Sequence, residues 1–206
     1  MAMDVRSVDI AERWEREFGR ERVYSITGLP IHAMHPLVRL MWLRSHEPRV
    51  FARTARMLCW EEFIAMRLGV EPVTDFSVAS RTMAFDILRH DWAVDLLTAA
   101  DMPFSFFPAA RPSGIAIGTL PTSLTREMGL EGKVTFVTGG FDQPMAALGA
   151  GQLNPGDAGV GTGTWEALTI LTGSPVLSQH MLQAGYPFGC YIVKDLMQLL
   201  ELGYPR

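Results

Sequence analysis

Apolar residues near the start of the chain recur at helical intervals. Ile10, Trp14 and Phe18 lie four residues apart, on one face of a predicted amphipathic helix. The segment 25–36 is interrupted by one glycine and two prolines and is predicted to be a loop. Helical spacing of apolar residues returns directly after this loop, at Leu37, so we predict a second helix there.

The middle of the chain alternates short apolar segments with proline-containing ones. Residues 56–60 are predicted to form a short buried strand, and residues 61–69 a helix that ends at a glycine. A further helix is predicted for residues 91–102, since the proline that follows disfavours helix before it. Residues 103–118 contain three prolines and are interpreted as an ordered connector without regular structure, whose aromatic side chains pack inward.

Residues 133–138 form the clearest predicted strand, because β-branched and aromatic residues are bounded by a glycine on each side. A helix is predicted over residues 143–151, with a proline near its start, where helices tolerate one. Asp142 therefore lies where strand, turn and helix meet. After a linker, residues 160–173 are predicted to form two strands joined by a Gly-Thr turn, the second of them over 167–171.

Composition and charge narrow the class of protein. With 206 residues and 48% hydrophobic content, the chain can bury a sizeable core. The net charge of -4 provides no general attraction for nucleic acid or an anionic membrane surface. Two cysteines without metal-ligand spacing, Cys59 and Cys190, predict a reducing compartment and no zinc site. Since no apolar stretch of about 18 residues occurs, we predict a soluble, cytoplasmic protein.

Asp142 is the leading candidate for chemistry. An acid at the carboxyl end of a strand and at a helix N-cap lies where open α/β sheets bind ligands. The helix N-terminus favours the ionised carboxylate by about 0.3–1 kcal/mol, which suits a base that accepts a proton from a sugar hydroxyl during phosphoryl transfer. The alternative is that Asp142 merely caps its helix, and position alone leaves both open. Asp75 is interpreted as a cap or turn residue.

A second candidate is the sequence Gly-Thr-Gly-Thr at residues 161–164. Its backbone N–H groups and hydroxyls lie in a turn that phosphate can approach closely. The sequence is neither a Walker A motif, which requires Gly-Lys-Ser/Thr, nor a dinucleotide-binding GxGxxG motif. A plain hairpin turn explains these glycines equally well.

Several other residues are interpreted as structural. His32 and His35 lie three apart, but flanking prolines and the lack of a carboxylate ligand favour loop histidines over a metal site. No GxSxG sequence occurs, which leaves hydrolase chemistry unsupported. Trp42, Trp60 and Trp92 fall near apolar helical stripes and are predicted to be core residues.

Five segments, taken in order, resemble the FGGY family of carbohydrate kinases. They are TGLPIHAMHPLVRLMWLRSHEP, TDFSVASRTMAFDILRHDW, PSGIAIGTL, GGFDQPMAALGAG and NPGDAGVGTGTWEAL. The similarity reaches from about Val23 to about Gly173 and preserves motif order and spacing, which makes it far more specific than either glycine motif alone. The resemblance implies an α/β protein with the ribonuclease H-like (actin-like ATPase) fold, present here incompletely as a mixed sheet with flanking helices. It also implies phosphoryl transfer from ATP, with Mg²⁺, to a small-molecule sugar or polyol bound between two lobes.

The resemblance assigns roles to individual residues. Asp142 matches the catalytic base of the family, and Gln143 matches a neighbour that contacts the substrate. Trp165 falls where relatives place a ring against the sugar. Met34 aligns with a substrate-contacting position that is tyrosine in glycerol kinases, a departure that argues against glycerol. The phosphate-binding turn of the second lobe corresponds to Gly161, Thr162 and Gly163, with Thr164 beside them, and no residue is assigned to a metal.

The resemblance also predicts a division of the chain at a composition shift near residues 154–156. Residues 1–154 correspond to part of the N-terminal, sugar-binding lobe, and residues 155–206 to the beginning of the C-terminal, nucleotide-binding lobe. A partial second lobe would leave apolar surface uncovered beyond Gly156. This predicts local disorder or self-association into a homo-oligomer.

Two functions from different classes follow. The family opens with an Asp-x-Gly-Thr turn that holds phosphate and metal, and no such sequence precedes Val23. The first function is a segment of an ATP-dependent sugar kinase, inactive by itself, with a ketopentose such as xylulose as the preferred substrate. The second is a non-catalytic sugar-binding or interaction module derived from such a kinase.

Overall fold

The computed structural model describes residues 4–162 and 166–203, in which five helices precede a mixture of short strands and helices. The helices are α1 (Val8–Phe18), α2 (Arg20–Thr27), α3 (Pro36–His46), α4 (Pro48–Phe51), α5 (Trp60–Arg67), α6 (Phe76–Ala79), α7 (Val94–Ala99), α8 (Thr122–Glu127), α9 (Asp142–Gly149) and α10 (Gln179–Gln183). The strands are β1 (Val73–Asp75), β2 (Phe85–Asp86), β3 (Asp91–Trp92), β4 (Ala109–Arg111), β5 (Ala116–Thr119), β6 (Thr135–Val137), β7 (Ala158–Thr162), β8 (Glu166–Thr172), β9 (Phe188–Cys190) and β10 (Met197–Gly203).

The described strands form three two-stranded sheets and one sheet of four strands, ordered β7-β8-β10-β9. β1 and β4 run parallel, and the other pairs are antiparallel. This combination confirms the predicted α/β class. β8 is an inner strand, so every second side chain along it, Ala167, Thr169 and Leu171, is buried. The prediction that this segment is left uncovered is therefore wrong for β8.

One apolar core joins the early helices to the last two strands. Phe188 on β9 and Leu199 on β10 belong to the same buried cluster as residues of α1, α2, α3 and α7. The backbone N–H of Phe188 donates to the carbonyl of Gly28 at 2.7 Å, and the hydroxyl of Tyr24 donates to the carbonyl of Tyr186 at 2.7 Å. The segment that follows residue 156 thus packs directly on the first helices. The division of the chain near residues 154–156 stays a prediction.

The apolar stripe at the start of the chain forms α1 as predicted. Ile10 is buried in the core, and Gly19 ends the helix with φ of 93°. The predicted loop over 25–36 is wrong in its first part, because α2 continues to Thr27. The missed helix is short, and it is stabilised by burial of residues such as Val23 rather than by a strong helical pattern of its own.

Three predictions for the middle of the chain are wrong in whole or in part. The helix predicted over residues 91–102 is limited to Val94–Ala99, because Asp91–Trp92 forms β3. Residues 56–59 form no strand, and residue 60 begins α5; Met57 donates one backbone hydrogen bond to the Phe106 carbonyl at 2.7 Å. The connector 103–118 is not irregular throughout, because it contains β4, which pairs with β1, and β5, which pairs with β6. Both strands depend on partners distant in sequence, which a local pattern does not show.

The predicted burial of the tryptophans is confirmed for Trp92, which donates its indole N–H to a backbone carbonyl at 2.7 Å. Trp42 is half-buried. Trp60, the first residue of α5, is 72% exposed, so its assignment to the core is wrong. Of the three phenylalanines in the connector, Phe104 is exposed and the other two are buried.

Both cysteines, Cys59 and Cys190, are free thiols. Burial raises the pKa of each to about 12. Both thiols are therefore protonated near neutral pH, which makes them weak nucleophiles. In the described ranges, no helix combines the length and the apolar character that crossing a bilayer requires.

Candidate active site

Asp142 lies at the start of α9, a few residues after the end of β6. The cap position belongs to Phe141, so Asp142 is the first helical residue and not the N-cap that the sequence predicted. Helix boundaries vary by a residue or two, and the electrostatic argument is unchanged at the first turn. Oδ1 of Asp142 accepts a hydrogen bond from the backbone N–H of Gln143 at 2.8 Å, and the side chain is exposed. The carboxylate therefore faces solvent at the positive end of the helix dipole.

The residue before Asp142 is tied to a distant part of the chain. The backbone N–H of Phe141 donates to Oγ of Ser77 at 2.8 Å. Ser77 in turn donates its hydroxyl, and at 2.8 Å its backbone N–H, to Oδ1 of Asp75. Asp75 is the N-cap of α6, which confirms its interpretation as a cap residue. The same oxygen accepts a hydrogen bond from the hydroxyl of Ser113 at 3.2 Å.

Gly140 allows this close approach. A Cβ built on Gly140 would lie 3.2 Å from Oγ of Ser77, 3.2 Å from Cγ2 of Ile192 and 3.3 Å from Sδ of Met145. These separations are below ordinary contact distances of about 3.5–4.0 Å. A larger residue here would require its neighbours to shift by a few tenths of an ångström.

The structure brings Gln143 next to the glycine-rich strand β7. A Cβ built on Gly161 would lie 3.4 Å from Oε1 of Gln143. Gly161 and Thr162 are both exposed at the end of β7. Gln143, which follows Asp142 in the first motif, thus lies close to Gly161 of the second motif. The remaining predicted site residues of this region, Gly163, Thr164 and Trp165, lie outside the described residues.

Met34 is not joined to this group. It lies exposed on the loop between α2 and α3, and its backbone N–H donates to Nδ1 of His32 at 3.2 Å. In the part of the chain that is described, no hydrogen bond links Met34 to Asp142 or Gln143.

The two loop histidines make contacts within the protein. Their rings lie edge to face with centroids 6.4 Å apart, and Nδ1 of His35 is 3.3 Å from the carbonyl oxygen of Arg81. Burial lowers the pKa of His35 to about 4. Among residues 4–162 and 166–203, no group of three or more His, Cys, Asp or Glu residues could hold a metal ion.

Glu61 interacts electrostatically with two other acids near the start of α9. Burial raises the pKa of Glu61 on α5, and the carboxylates of Asp75 and Asp142 raise it further. Burial also raises the pKa of Asp75, while hydrogen bonds from Ser77 and Ser113 oppose this shift. Oδ2 of Asp75 is buried without a hydrogen-bond partner among the described residues.

A cavity of about 850 Å³ lies against Phe141, and its lining includes Trp60, Glu61 and Arg81. The guanidinium carbon of Arg81 lies 5.8 Å from the centroid of the Phe141 ring. Burial lowers the pKa of Arg81 to about 10. Asp142 is not a lining residue, so its carboxylate is adjacent to the cavity only through Phe141.

Sequence reasoning missed Ser77 and the contact it makes. The two bonded residues, Ser77 and Phe141, are 64 positions apart. The available local signal was the sequence Asp75-Phe76-Ser77, since an acid two residues before a hydroxyl is typical of a helix start. That pattern identifies the cap but says nothing about what the serine contacts elsewhere.

Comparison with known proteins gives related sequences. L-fuculokinase from Salmonella typhi is 29% identical over 178 residues, which cover 85% of this chain and 38% of that protein. Gluconokinase from Bacillus subtilis (strain 168) is 26% identical over 192 residues, which cover 93% of this chain and 36% of that protein. The chain therefore spans less than two thirds of the length of these curated relatives.

Solved structures show the same fold. Ligand-bound xylulose kinase from Lactobacillus acidophilus superposes with a TM-score of 0.88 at 21% identity, and the match covers 97% of this chain and 40% of that chain. Gluconate kinase from Lactobacillus acidophilus gives a TM-score of 0.87 at 21% identity, with the same coverage of 97% and 40%. At such identities the likeness establishes the fold alone. The fold is the ribonuclease H-like, actin-like ATPase fold of these kinases, present in part.

A family model extends the comparison over most of the chain. Residues 1–149 match the model of the FGGY family of carbohydrate kinases, N-terminal domain. The match includes the start of α9 with Asp142 and Gln143, and it covers more than half of the 206 residues. The chain belongs to the FGGY family of carbohydrate kinases.

Proposed function

We propose that this chain is a segment of an ATP-dependent carbohydrate kinase in which Asp142 accepts the proton of the attacking sugar hydroxyl. Family membership supports phosphoryl transfer as the reaction. One observation carries the site assignment. The exposed carboxylate of Asp142 starts α9 beside Gln143, whose Oε1 approaches Gly161. A base candidate, a substrate-binding candidate and a phosphate-binding candidate are thus adjacent.

In phosphoryl transfer the protein mainly positions the reactants and stabilises the charge of the transition state. The sugar hydroxyl oxygen attacks the γ-phosphorus of ATP, a new O–P bond forms, and the bond to the ADP leaving group breaks. The hydroxyl proton passes to the carboxylate of Asp142, which first orients the hydroxyl by accepting its hydrogen bond. Gln143 is proposed to bind a neighbouring hydroxyl of the sugar, and Trp165 and Met34 to contact its apolar face.

The residues at the end of β7 fit the phosphates of ATP. Gly161 carries no side chain where a Cβ would approach Gln143, and Thr162 is exposed next to it. We propose that Gly161, Thr162, Gly163 and Thr164 hold the phosphates through backbone N–H groups and hydroxyls. Mg²⁺ bound with ATP would neutralise the phosphate charge, and because no group of three or more possible ligands is found among the described residues, it would be held chiefly by phosphate oxygens.

The identity of the sugar substrate and the assignment of residues to two lobes are proposed by analogy with the relatives. Curated relatives are named for L-fuculose, gluconate and xylulose kinases. We propose a ketopentose such as xylulose as substrate. Residues 1–154 are proposed to form part of the sugar-binding lobe and residues 155–206 the beginning of the nucleotide-binding lobe. The substrate would then lie near the start of α9, where the two segments meet.

Calorimetric titration of the 206-residue chain with D-xylulose, L-fuculose, D-gluconate and glycerol tests this proposal. We expect saturable binding of one sugar, weakened about tenfold or more by Asp142→Ala because a hydrogen bond to a charged group is lost. Asp95→Ala is the matched control, since it removes an exposed carboxylate on α7 and should leave the affinity unchanged. A folded chain that binds none of the four compounds would contradict the proposal.

The second candidate function is a sugar-binding module that does not transfer phosphate. Mg-ATP distinguishes the two functions. In a kinase segment, Mg-ATP would bind next to the sugar and change the Kd of the sugar. In a non-catalytic sugar-binding module, the Kd of the sugar would be the same with and without Mg-ATP.

A further inference from the structure

Two buried residues at the start of α6, Asp75 and Ser77, form hydrogen bonds that reach the backbone just before Asp142. We propose that Asp75 and Ser77 are positioning residues, which fix the chain at Phe141 and thereby the direction in which the Asp142 carboxylate points. The inference rests on the proposed function for its catalytic meaning. The anchoring itself is a property of the fold and can be measured separately.

The direction of each hydrogen bond follows from the chemistry of serine. A serine hydroxyl carries one proton and can accept through its lone pairs. Ser77 donates that proton to Oδ1 of Asp75, so its oxygen is left to accept the backbone N–H of Phe141 at 2.8 Å. Asp75 and Ser77 are both buried, with exposures of 2% and 0%. Because the buried hydroxyl of Ser77 both donates and accepts a hydrogen bond, it has one preferred orientation.

The carboxylate of Asp75 accepts hydrogen bonds from two segments that also contact the chain just before Asp142. One is α6, through Ser77, and the other is the loop before β5, through the hydroxyl of Ser113 at 3.2 Å. The same loop accepts a hydrogen bond at 2.9 Å from the hydroxyl of Thr138, which lies just after β6. The segment 138–141 is therefore tied at both ends. Its two glycines lie between the ties, so the remaining freedom before Asp142 is small.

Loss of the hydrogen bond between Phe141 and Ser77 should displace Asp142 before other residues. Phe141 is the N-cap of α9, and its carbonyl accepts the backbone N–H of Met145 at 3.1 Å. A shift of the cap therefore moves the first turn that carries the carboxylate. Because productive geometry in catalysis tolerates only a small misplacement, such a shift should weaken contacts with the substrate.

Ser77→Ala and Ser113→Ala form a matched pair of variants. Each removes one hydroxyl that donates to Oδ1 of Asp75, but only Ser77 also accepts the N–H of Phe141. Amide hydrogen exchange, resolved by NMR on the 206-residue chain, reports on Phe141 and on the Gln143 amide that binds Asp142. We expect Ser77→Ala to speed exchange of both amides about five- to tenfold relative to amides of the core, as loss of one hydrogen bond predicts.

Ser113→Ala should leave the Phe141 and Gln143 amides close to their wild-type rates. Asp75→Asn keeps the acceptor oxygen and should retain the tie, whereas Asp75→Ala should release it. Equal acceleration in the two serine variants, or none in Ser77→Ala, would overturn the proposal. An evenly spread acceleration across the core would also overturn it, since that result indicates a purely structural role.

Sugar affinity provides the functional readout. With the compound of the four that binds best, Ser77→Ala should weaken binding about three- to tenfold, and adding it to Asp142→Ala should cause no further loss. Additive losses would mean that Ser77 does not act through Asp142. If the wild-type chain binds none of the four compounds, the proposed function fails, while the exchange rates still decide whether Asp75 and Ser77 position the carboxylate.

Discussion

Replacing Gly140 with alanine tests the close approach that places the chain before α9. The added methyl group would lie 3.2 Å from Oγ of Ser77, 3.2 Å from Cγ2 of Ile192 and 3.3 Å from Sδ of Met145. Met145 is 42% exposed and can rotate away, but Ser77 is fully buried and held by its hydrogen bonds. The backbone at Gly140 therefore has to move by a few tenths of an ångström.

The expected magnitude follows from two opposing effects. Inserting a methyl group into a packed region costs about 1–3 kcal/mol. Alanine also restricts the unfolded chain, which stabilises the fold by about 0.4–1 kcal/mol. The difference is a loss of roughly 0–2.6 kcal/mol in the free energy of unfolding, centred at about 1.3 kcal/mol.

Gly139→Ala is the control for the same chemical change. A Cβ on Gly139 meets no atom within 4 Å, and its φ is not in the left-handed region, so only the effect on the unfolded chain remains. We expect this variant to gain about 0.4–1 kcal/mol.

Urea unfolding, followed by tryptophan fluorescence, measures both variants against the wild type. The midpoint should fall for Gly140→Ala and rise for Gly139→Ala, with the slope m unchanged. A midpoint for Gly140→Ala at or above that of the wild type would refute the reasoning, because the methyl group would then have space that the structure does not show.

Three further predictions concern the core and the pH dependence of stability. Gly28→Ala should cost about 3 kcal/mol or more in urea unfolding, because φ is 70° and the new Cβ would lie 2.7 Å from the carbonyl oxygen of Phe188. The control Gly19→Ala, with φ of 93° and no atom within 4 Å of the new Cβ, should cost only about 1–2 kcal/mol. Equal losses in the two variants would contradict the packing argument. Phe188→Ala, which empties a fully buried site, should cost about 3–5 kcal/mol by the same measurement, and a loss below 1 kcal/mol would show that the site is not core. Burial lowers the pKa of His35 to about 4, so between about pH 4 and 6.5 the unfolded chain binds more protons than the folded chain. The stability contributed by the neutral ring is therefore fully present above about pH 6.5 and is lost as the pH falls towards 4. His35→Asn should remove about 3 kcal/mol of this dependence between pH 7 and pH 4, and His180→Asn, which replaces an exposed histidine, is the matched control.

Local patterns predicted the elements that depend on neighbouring residues. The stripe through Ile10 forms α1, and the strand, turn and helix around Asp142 are present as β6 and α9. The hairpin of β7 and β8 was also predicted, because alternating residues around a glycine turn are a short-range pattern. In each case the residues that decide the structure lie within about ten positions of one another.

Elements that depend on distant partners were missed or misplaced. β4 exists because Ala109–Arg111 pairs in parallel with Val73–Asp75, some thirty-six positions away in register. α2 exists because its buried residues complete the core that Phe188 also fills. Trp60 fell on an apolar stripe, yet the structure leaves it 72% exposed, since hydrophobic character alone does not say which face another element covers.

The sequence by itself determined the family, through the order and spacing of its motifs, and it determined that Asp142 stands at a helix start after a strand. These features are local, because turn, cap and strand preferences act over a few residues. Only the tertiary structure decided that Ser77 binds the backbone at Phe141 and that Gln143 lies against Gly161. Such contacts join residues far apart in the chain, and they form only when packing of the core has brought α6, α9 and β7 together.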